Sequence, residues 1–403
     1  MASQILFESV NLKIRYKESP NKELIVVSFA SYDKNQTKDK SGFGERLFEK
    51  YNTSAIFVTC SNNDWYQYEE IFDAITAINK VTCAYHEIVN YGSSMGGYAS
   101  ILFSKLTKAD RVIAISPQFS INPESAPYEK QWSHIGSKLH YVLDPATKGA
   151  SGSITIIFDP RTIDGIHAER INNEYAVHMV PFAYSGHPSS FTLLETGVLR
   201  DLIVDLIGGE TDIIRHLKRY KQNRLGSWRY LYALGKSGVT LDRKIYFLRL
   251  ASVRAPDNLN VQLALGETLL KAGHYVQSAE AFGKACNVTS EFAWPYYRKA
   301  IAFMKDRRLL DAHRAIMKAI EISPQQSSYL WIAGEVSRDL GLPEAASYLE
   351  RSLELDPSSS FRWYNLSLYY KKCGDLDKAE QAARKSRKNV TNTDRNGISA
   401  RVD

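Results

Sequence analysis

The sequence predicts a chain in two parts, an α/β sheet domain followed by an all-α array of stacked helices. Three observations carry that division. Over residues 1–210, short β-branched runs alternate with stretches of helical spacing, the pattern of a mostly parallel sheet with helices on both faces. After about residue 210 the strand signals stop. From there, small and large apolar residues recur with a period near 34, the length at which helix pairs stack into a solenoid.

Strands are expected at Gln4–Phe7, Leu12–Tyr16, Leu24–Phe29, Ala55–Thr59, Ile88–Tyr91, Arg111–Ser116, Ile154–Phe158 and Val177–Pro181. The first two suit an antiparallel edge hairpin. Most of the others are apolar on both faces, as central strands of a helix-covered sheet are. Helical spacing is expected over Tyr66–Lys80, Gly96–Leu106 and His187–Ile207. Residues 119–151 are long for a connection and read as a lid.

Bulk properties exclude several classes. The chain has 403 residues, 44% apolar and 24% charged, an ordinary globular balance. The net charge of +7 is dilute over this length, so nucleic acid is not an expected partner. Arg215, Lys218, Arg219, Lys221 and Arg224 have helical spacing and read as a solvated helix face. No run of residues is apolar enough for a membrane span, and the opening residues lack the apolar region of a signal peptide. Cys60, Cys83, Cys286 and Cys373 show no paired spacing, so neither disulfides nor a metal site is expected. Those features predict a cytoplasmic protein with reduced thiols. No phosphate-cradling glycine loop follows a strand, and no cofactor is expected.

The segment Gly92-Ser93-Ser94-Met95-Gly96-Gly97 lies directly after a strand and opens a helix. A serine on such a turn is raised above the sheet in strained backbone geometry, so its neighbours two residues either side must be small. Gly92 and Gly96 meet that need in a G-x-S-x-G pattern. The amide of Met95, at the helix start, would face a developing oxyanion.

In these residues the chain resembles the α/β-hydrolase superfamily of serine hydrolases. The resemblance implies a triad in the chain order serine, acid, histidine. Ser94 would be the nucleophile and His187, ahead of the last sheet-domain helix, the general base. Asp164, a few residues past the strand Ile154–Phe158, is the favoured acid, with Asp159 at the strand end as the alternative. His167 would break that order and is expected to point out of its helix. A second oxyanion amide is expected from Ala30, or from Ser31 beside it. This stretch lacks the histidine–glycine motif of many lipases, which weakens a lipase reading. Ser31, Asn63, Trp65, Tyr66 and Gln118 fall on loops at strand ends and would ring a substrate pocket. For Trp65 and Tyr66, packing under the next helix is the open alternative. Polar groups beside aromatic faces suit a small-molecule or glycan ester.

The array, over residues 259–390, places Gly266, Gly273, Tyr275, Phe282 and Ala285 in one unit and Ala300, Phe303, Ala312, Ile316, Ala319 and Pro324 in the next. Further units follow through Ala333, Leu349 and Pro357, then Tyr370, Gly374 and Ala383. This resembles the tetratricopeptide repeat, which implies a surface for a protein partner or for self-association. Residues 211–258 read as a degenerate connecting unit and 391–403 as a basic flexible tail. The leading expectation is a carboxylic-ester hydrolase carrying an interaction array. A catalytically inactive scaffold, or a transacylase or amidase on the same triad, is the alternative.

Overall fold

A computed structural model describes residues 3–399, with side chains as far as Asn389. It divides into two compact units, Met1–Leu234 and Gly235–Asp403.

The first unit is one eight-stranded mixed sheet. Its strands are β1 (Ser3–Glu8), β2 (Leu12–Lys17), β3 (Leu24–Phe29), β4 (Ser54–Cys60), β5 (Glu87–Ser93), β6 (Arg111–Ile115), β7 (Ser153–Phe158) and β8 (His178–Pro181), in the spatial order 1-2-4-3-5-6-7-8. The β1–β2 and β2–β4 pairs are antiparallel and the remaining pairs parallel. Every expected strand is therefore present, within one or two residues at each end. Period-two alternation sends Ile25, Val27 and Phe29 into one core and Val26 into the other. All seven residues of β4 are buried, because helices cover both faces there.

Those helices are α1 (Glu45–Lys50), α2 (Ile71–Thr82), α3 (Met95–Leu102), α4 (Ser133–Gly136), α5 (Ile163–Glu174), α6 (Ser189–Glu195), α7 (Leu199–Ile207), α8 (Ile214–Asn223) and α9 (Trp228–Ser237), the last ending just past the division. The single helix expected over His187–Ile207 is broken in two at Gly197, whose φ of +70° ends α6. The helix expected from Tyr66 starts only at Ile71. Trp65 and Tyr66 precede it at φ of 50° and 59°, a left-handed conformation that burial of both rings holds in place. The unit also runs on beyond residue 210. Tyr220 of α8 packs edge-on against Phe182 and donates its hydroxyl to the Ala183 carbonyl at 2.9 Å.

Residues 119–151 are built into this unit and do not form a detached flap. Phe119, Ile121, Ala126 and Ala146 are buried, and Gly136 and Gly149 lie so close to the Ile121 and Leu102 carbonyls that a methyl group would not fit. His167, expected to point outward, is buried against this segment. Its Nδ1 accepts from the Phe119 amide at 3.0 Å, and its Nε2 lies 3.0 Å from the buried Glu129 carboxylate. An imidazole at that place satisfies two polar groups that the insert buries.

The second unit is a helical solenoid of α10 (Leu241–Arg254), α11 (Leu259–Lys271), α12 (Tyr275–Val288), α13 (Ala293–Lys305), α14 (Leu309–Ile322), α15 (Ser327–Leu340), α16 (Ala345–Leu355), α17 (Ser360–Lys372) and α18 (Leu376–Ser399). Within pairs, small residues let helices touch. A methyl on Gly266 would strike the Phe282 ring at 2.8 Å, and one on Gly334 would strike Leu349 at 2.6 Å. The first helices of successive pairs end alike, at Gly273, Arg307, Gly341 and Gly374, each at positive φ. In each case the next amide closes a wide turn onto the helix, as His274 does onto the Leu269 carbonyl and Arg308 onto Phe303. α18 carries helical backbone to Ser399, through most of what the sequence suggested was a free tail. Backbone bonds propagate a helix once its first turns are packed. Residues 400–403 lie outside the described residues.

Candidate active site

The order of the strands selects the place. β3 and β5 are neighbours whose connections leave in opposite directions, β3 to β4 on one side and β5 to β6 on the other, and a crevice opens at their carboxyl ends. Ala30-Ser31 follows β3 there, and Ser94 follows β5.

Ser94 has φ 53° and ψ −119°, a strained conformation for a residue with a side chain. Its amide is anchored to the Ile115 carbonyl at 2.8 Å. The glycines either side are obligatory. A methyl on Gly92 would lie 2.1 Å from the Gly96 carbonyl oxygen, and one on Gly96 2.2 Å from that of Phe29. The turn thus wedges α3 against β3 at backbone distance. Met95 is the first residue of α3, where amides have no acceptor within the helix.

Three residues from separate loops meet in a hydrogen-bonded line. Ser94 Oγ lies 2.9 Å from His187 Nε2, and His187 Nδ1 lies 2.8 Å from Asp164 Oδ1. Asp164 is buried in the first turn of α5, whose start is capped by Thr162. A carboxylate facing Nδ1 puts the imidazole proton on that nitrogen and leaves Nε2 to accept from Oγ.

Asp159 stands elsewhere in the network. Its carboxylate accepts from the amides of Arg161 at 2.9 Å, Tyr184 at 3.0 Å and Gly186 at 2.8 Å. It holds the loop that presents His187, and among the described residues its carboxylate bonds backbone amides and not the imidazole. Burial pushes its carboxyl above the ordinary range, against the pull of those three amides. Ser116 and Ser185 grip the same loop through Ser189, whose amide donates to Ser116 Oγ at 3.1 Å and whose hydroxyl lies 2.7 Å from that of Ser185.

Other expected residues are placed differently. The Ala30 amide donates to the Val58 carbonyl at 3.0 Å, so it is spent on the sheet and cannot also serve an oxyanion. Ser31, one residue on, lines the cleft, and its hydroxyl is buried without a hydrogen-bond partner. Tyr66 is fully buried, donating to the Ala30 carbonyl at 2.8 Å, and therefore supports the loop from beneath. Trp65 is likewise fully buried, its indole N–H directed at Gln118 Oε1 at 3.3 Å. Asn63 braces the same loop by bonding both backbone groups of Asp33. None of Asn63, Trp65 and Tyr66 lines the cleft, because the chain turns inward after β4. Gln118 reaches the serine instead, its Nε2 lying 3.3 Å from Ser94 Oγ.

The cleft over Ser94 and His187 has a volume of about 760 Å³. Its walls are Tyr32, Phe43, Trp132 and Phe191, with Lys34 and Lys40 among the polar groups. Lys40 donates to the Ser31 carbonyl at 3.3 Å and to Gln36 at 2.6 Å, and burial holds its ammonium below the ordinary lysine range. Sequence reasoning missed Lys40, Phe43 and Phe191. The first two sit on the long loop after β3, whose position at a strand's carboxyl end was the available signal.

Comparison with known proteins speaks to the helical unit. Residues 348–381 match the family model described as tetratricopeptide repeat. Among solved structures, one titled "Crystal structure of MamA" is 20% identical, covering 38% of this chain and 91% of its own, with a TM-score of 0.37. MamA 41-end from Desulfovibrio magneticus RS-1 is 15% identical, covering 41% and 95%, with a TM-score of 0.39. YrrB, titled a TPR protein with an unusual peptide-binding site, is 18% identical, covering 44% and 91%, with a TM-score of 0.36. No curated protein matches the chain in sequence. Among the described residues no helix is long and apolar enough to cross a membrane. The second unit is a solenoid that carries a tetratricopeptide repeat, an architecture that supports a protein-interaction role.

Proposed function

We propose that the sheet unit is a serine hydrolase of the α/β-hydrolase type acting on a carboxylic ester, and that the helical unit presents a surface to a protein partner. The observation that carries the proposal is the line Ser94–His187–Asp164, assembled on a strained turn at the crevice of the sheet. His187 takes the Ser94 proton as Oγ attacks the ester carbonyl, and Asp164 holds the imidazole tautomer and offsets the imidazolium charge. The Met95 and Ser31 amides receive the oxyanion, Ser31 replacing Ala30 in that role. His187 then returns the proton to the leaving alcohol, and water releases the acyl group by the reverse sequence. Aromatic walls beside two lysines favour a polar ester, such as an acylated sugar, over a long lipid chain.

The second reading is an interaction scaffold whose sheet unit does not catalyse. It is favoured by the tetratricopeptide repeat that residues 348–381 match. One experiment separates the two. A fluorophosphonate probe should label the wild-type chain at Ser94 and leave Ser94→Ala unlabelled. Equal labelling of both, or of neither, removes the hydrolase reading and leaves the scaffold.

A further inference from the structure

We infer that Gln118, oriented by Trp65, is a hydrogen-bond donor to the nucleophile's own oxygen and governs release of the acyl group from Ser94. The inference rests on the hydrolase reading above and adds a group to its chemistry.

An amide side chain offers an acceptor oxygen on one side and a donor NH2 on the other, and its neighbours decide which faces where. Trp65 Nε1 is a donor only, and it lies 3.3 Å from the Gln118 oxygen. The Gln118 carbonyl must face the indole, so the NH2 faces Ser94 Oγ at 3.3 Å. Both bonds are buried, and Gln118 is 2% exposed. Trp65 is held at positive φ with its ring against Tyr32 and Trp132, and so is a fixed post. Oγ therefore accepts a hydrogen bond from Gln118 while directing its own proton at His187 Nε2.

A donor fixed on Oγ acts unequally on the two half-reactions. In acylation Oγ begins as a neutral hydroxyl and ends as an ester oxygen, bonded to carbon, with the proton passed through His187 to the departing alcohol. A hydrogen bond to its lone pair then restrains the nucleophile as much as it orients it. In deacylation, water attacks the acyl carbon and gives a proton to His187. The carbon–Oγ bond breaks, Oγ keeps the electron pair, and it recovers the proton from His187. Charge gathers on Oγ as that bond breaks, and the Gln118 N–H stabilises it from the buried side, where such a bond strengthens. Gln118 thereby sets the lifetime of the acyl-enzyme.

The test is burst kinetics of the full chain with nitrophenyl acetate, with the acyl-enzyme weighed by mass spectrometry. Gln118→Met, similar in length but no donor, should slow deacylation about tenfold to a hundredfold, the scale of one hydrogen bond to a charged atom. Acylation should change by a smaller factor, so that the acetylated chain accumulates. Trp65→Phe should shift the partition in the same direction to a lesser degree, because the amide is then free to turn. It also serves if Gln118→Met does not fold. Equal slowing of both steps, or no change in the partition in either folded variant, overturns the inference and leaves the triad standing. A wild-type chain that shows neither burst nor Ser94-dependent turnover overturns the triad reading, and this inference with it.

Discussion

The two units handle backbone strain in opposite ways. Among the described residues, left-handed non-glycine positions in the sheet unit are Asn52, Trp65, Tyr66, Ser94, Lys108, Ser116 and Tyr184; in the helical unit Arg307 is alone. Four of the seven bear on the cleft: Ser94 itself, Trp65 behind Gln118, and Ser116 and Tyr184 in the network around the His187 loop. Each costs about 1–3 kcal/mol and persists only where surrounding contacts over-determine it. The sheet supplies those contacts across long sequence separations, since β3, β5, β7 and β8 all meet at one edge. The solenoid packs mainly against sequence neighbours and uses glycine where a turn must be left-handed. Precise placement of reacting groups needs the first arrangement, and a long, repetitive surface is well served by the second.

The comparison breaks most visibly at the acid. Asp164→Asn should lower kcat on a small ester by a factor on the order of 10⁴, by leaving His187 in the wrong tautomer. Asp159→Asn turns an amide NH2 toward backbone N–H groups that now have an acceptor. It should cost about 1–3 kcal/mol of stability and change activity far less. Thermal melts and steady-state rates on both variants decide it. If Asp159→Asn is the change that abolishes turnover and Asp164→Asn is benign, the roles exchange.

How much of this was legible follows from the same contrast. The strands were readable because β-branched runs bounded by turns have few alternatives, and the repeat was readable because Gly266 and Ala300, like Phe282 and Ile316, stand one period apart. The serine turn was readable because its glycines are needed at backbone distance. Asp164 and His187 were reachable through chain order alone. The fate of the Ala30 amide, taken by Val58, depends on a strand pairing that no local pattern records. The inward turn of Trp65 and Tyr66 depends on the core beneath β3, and the burial of His167 on an insert whose partners lie about 40 residues away in sequence. Each error exchanged a side chain's direction, which long-range packing sets, for its position, which the sequence does set.

The extent of the sheet unit gives the next test. A chain ending at Ser237 keeps α8 and α9, and should still be labelled by the fluorophosphonate probe. A chain ending at Thr211 loses Tyr220 from beneath Phe182 and Ala183, next to the His187 loop. Losing a buried aromatic side chain costs about 3–5 kcal/mol, so the shorter chain should melt far lower and label weakly. Equal labelling and melting would detach α8 from the site.

Acid should then separate the units by stability. Glu45 opens α1, and its carboxylate is bonded by Lys17 at 2.7 Å, Arg15 at 3.2 Å and the Gly42 amide at 2.6 Å. Burial raises its pKa, but the two cations and the amide outweigh burial and bring it from 4.5 to about 2. A carboxyl depressed on folding contributes stability that is complete above its unfolded value. That contribution is lost as pH falls from about 4.5 to about 2. The melting temperature of the sheet unit should fall across this window, and Glu45→Gln should flatten that fall while lowering the plateau above it. An unchanged slope in the variant would assign the acid sensitivity to other carboxylates.

The smallest effect belongs to the one place where the helical unit departs from its own rule. Gly273, Gly341 and Gly374 each follow the first helix of a pair at φ between 72° and 81°, and Arg307 stands one repeat from two of them at φ 61°. Its amide bonds the Met304 carbonyl at 3.2 Å and the Arg308 amide bonds Phe303 at 2.9 Å, the same closure the glycines make. A side chain at that φ costs about 1–2 kcal/mol, against which glycine's greater freedom in the unfolded chain offsets about 0.5–1. The Arg307 side chain is exposed, so little packing is lost with it. Arg307→Gly should therefore stabilise the solenoid by up to about 1 kcal/mol, read as a raised denaturant midpoint with an unchanged slope. Gly341→Arg, the reverse exchange one repeat later, should destabilise by a similar amount. If Arg307→Gly instead lowers the midpoint, the arginine makes a contact worth more than its strain, and the solenoid, like the sheet, holds a strained residue for what its side chain does.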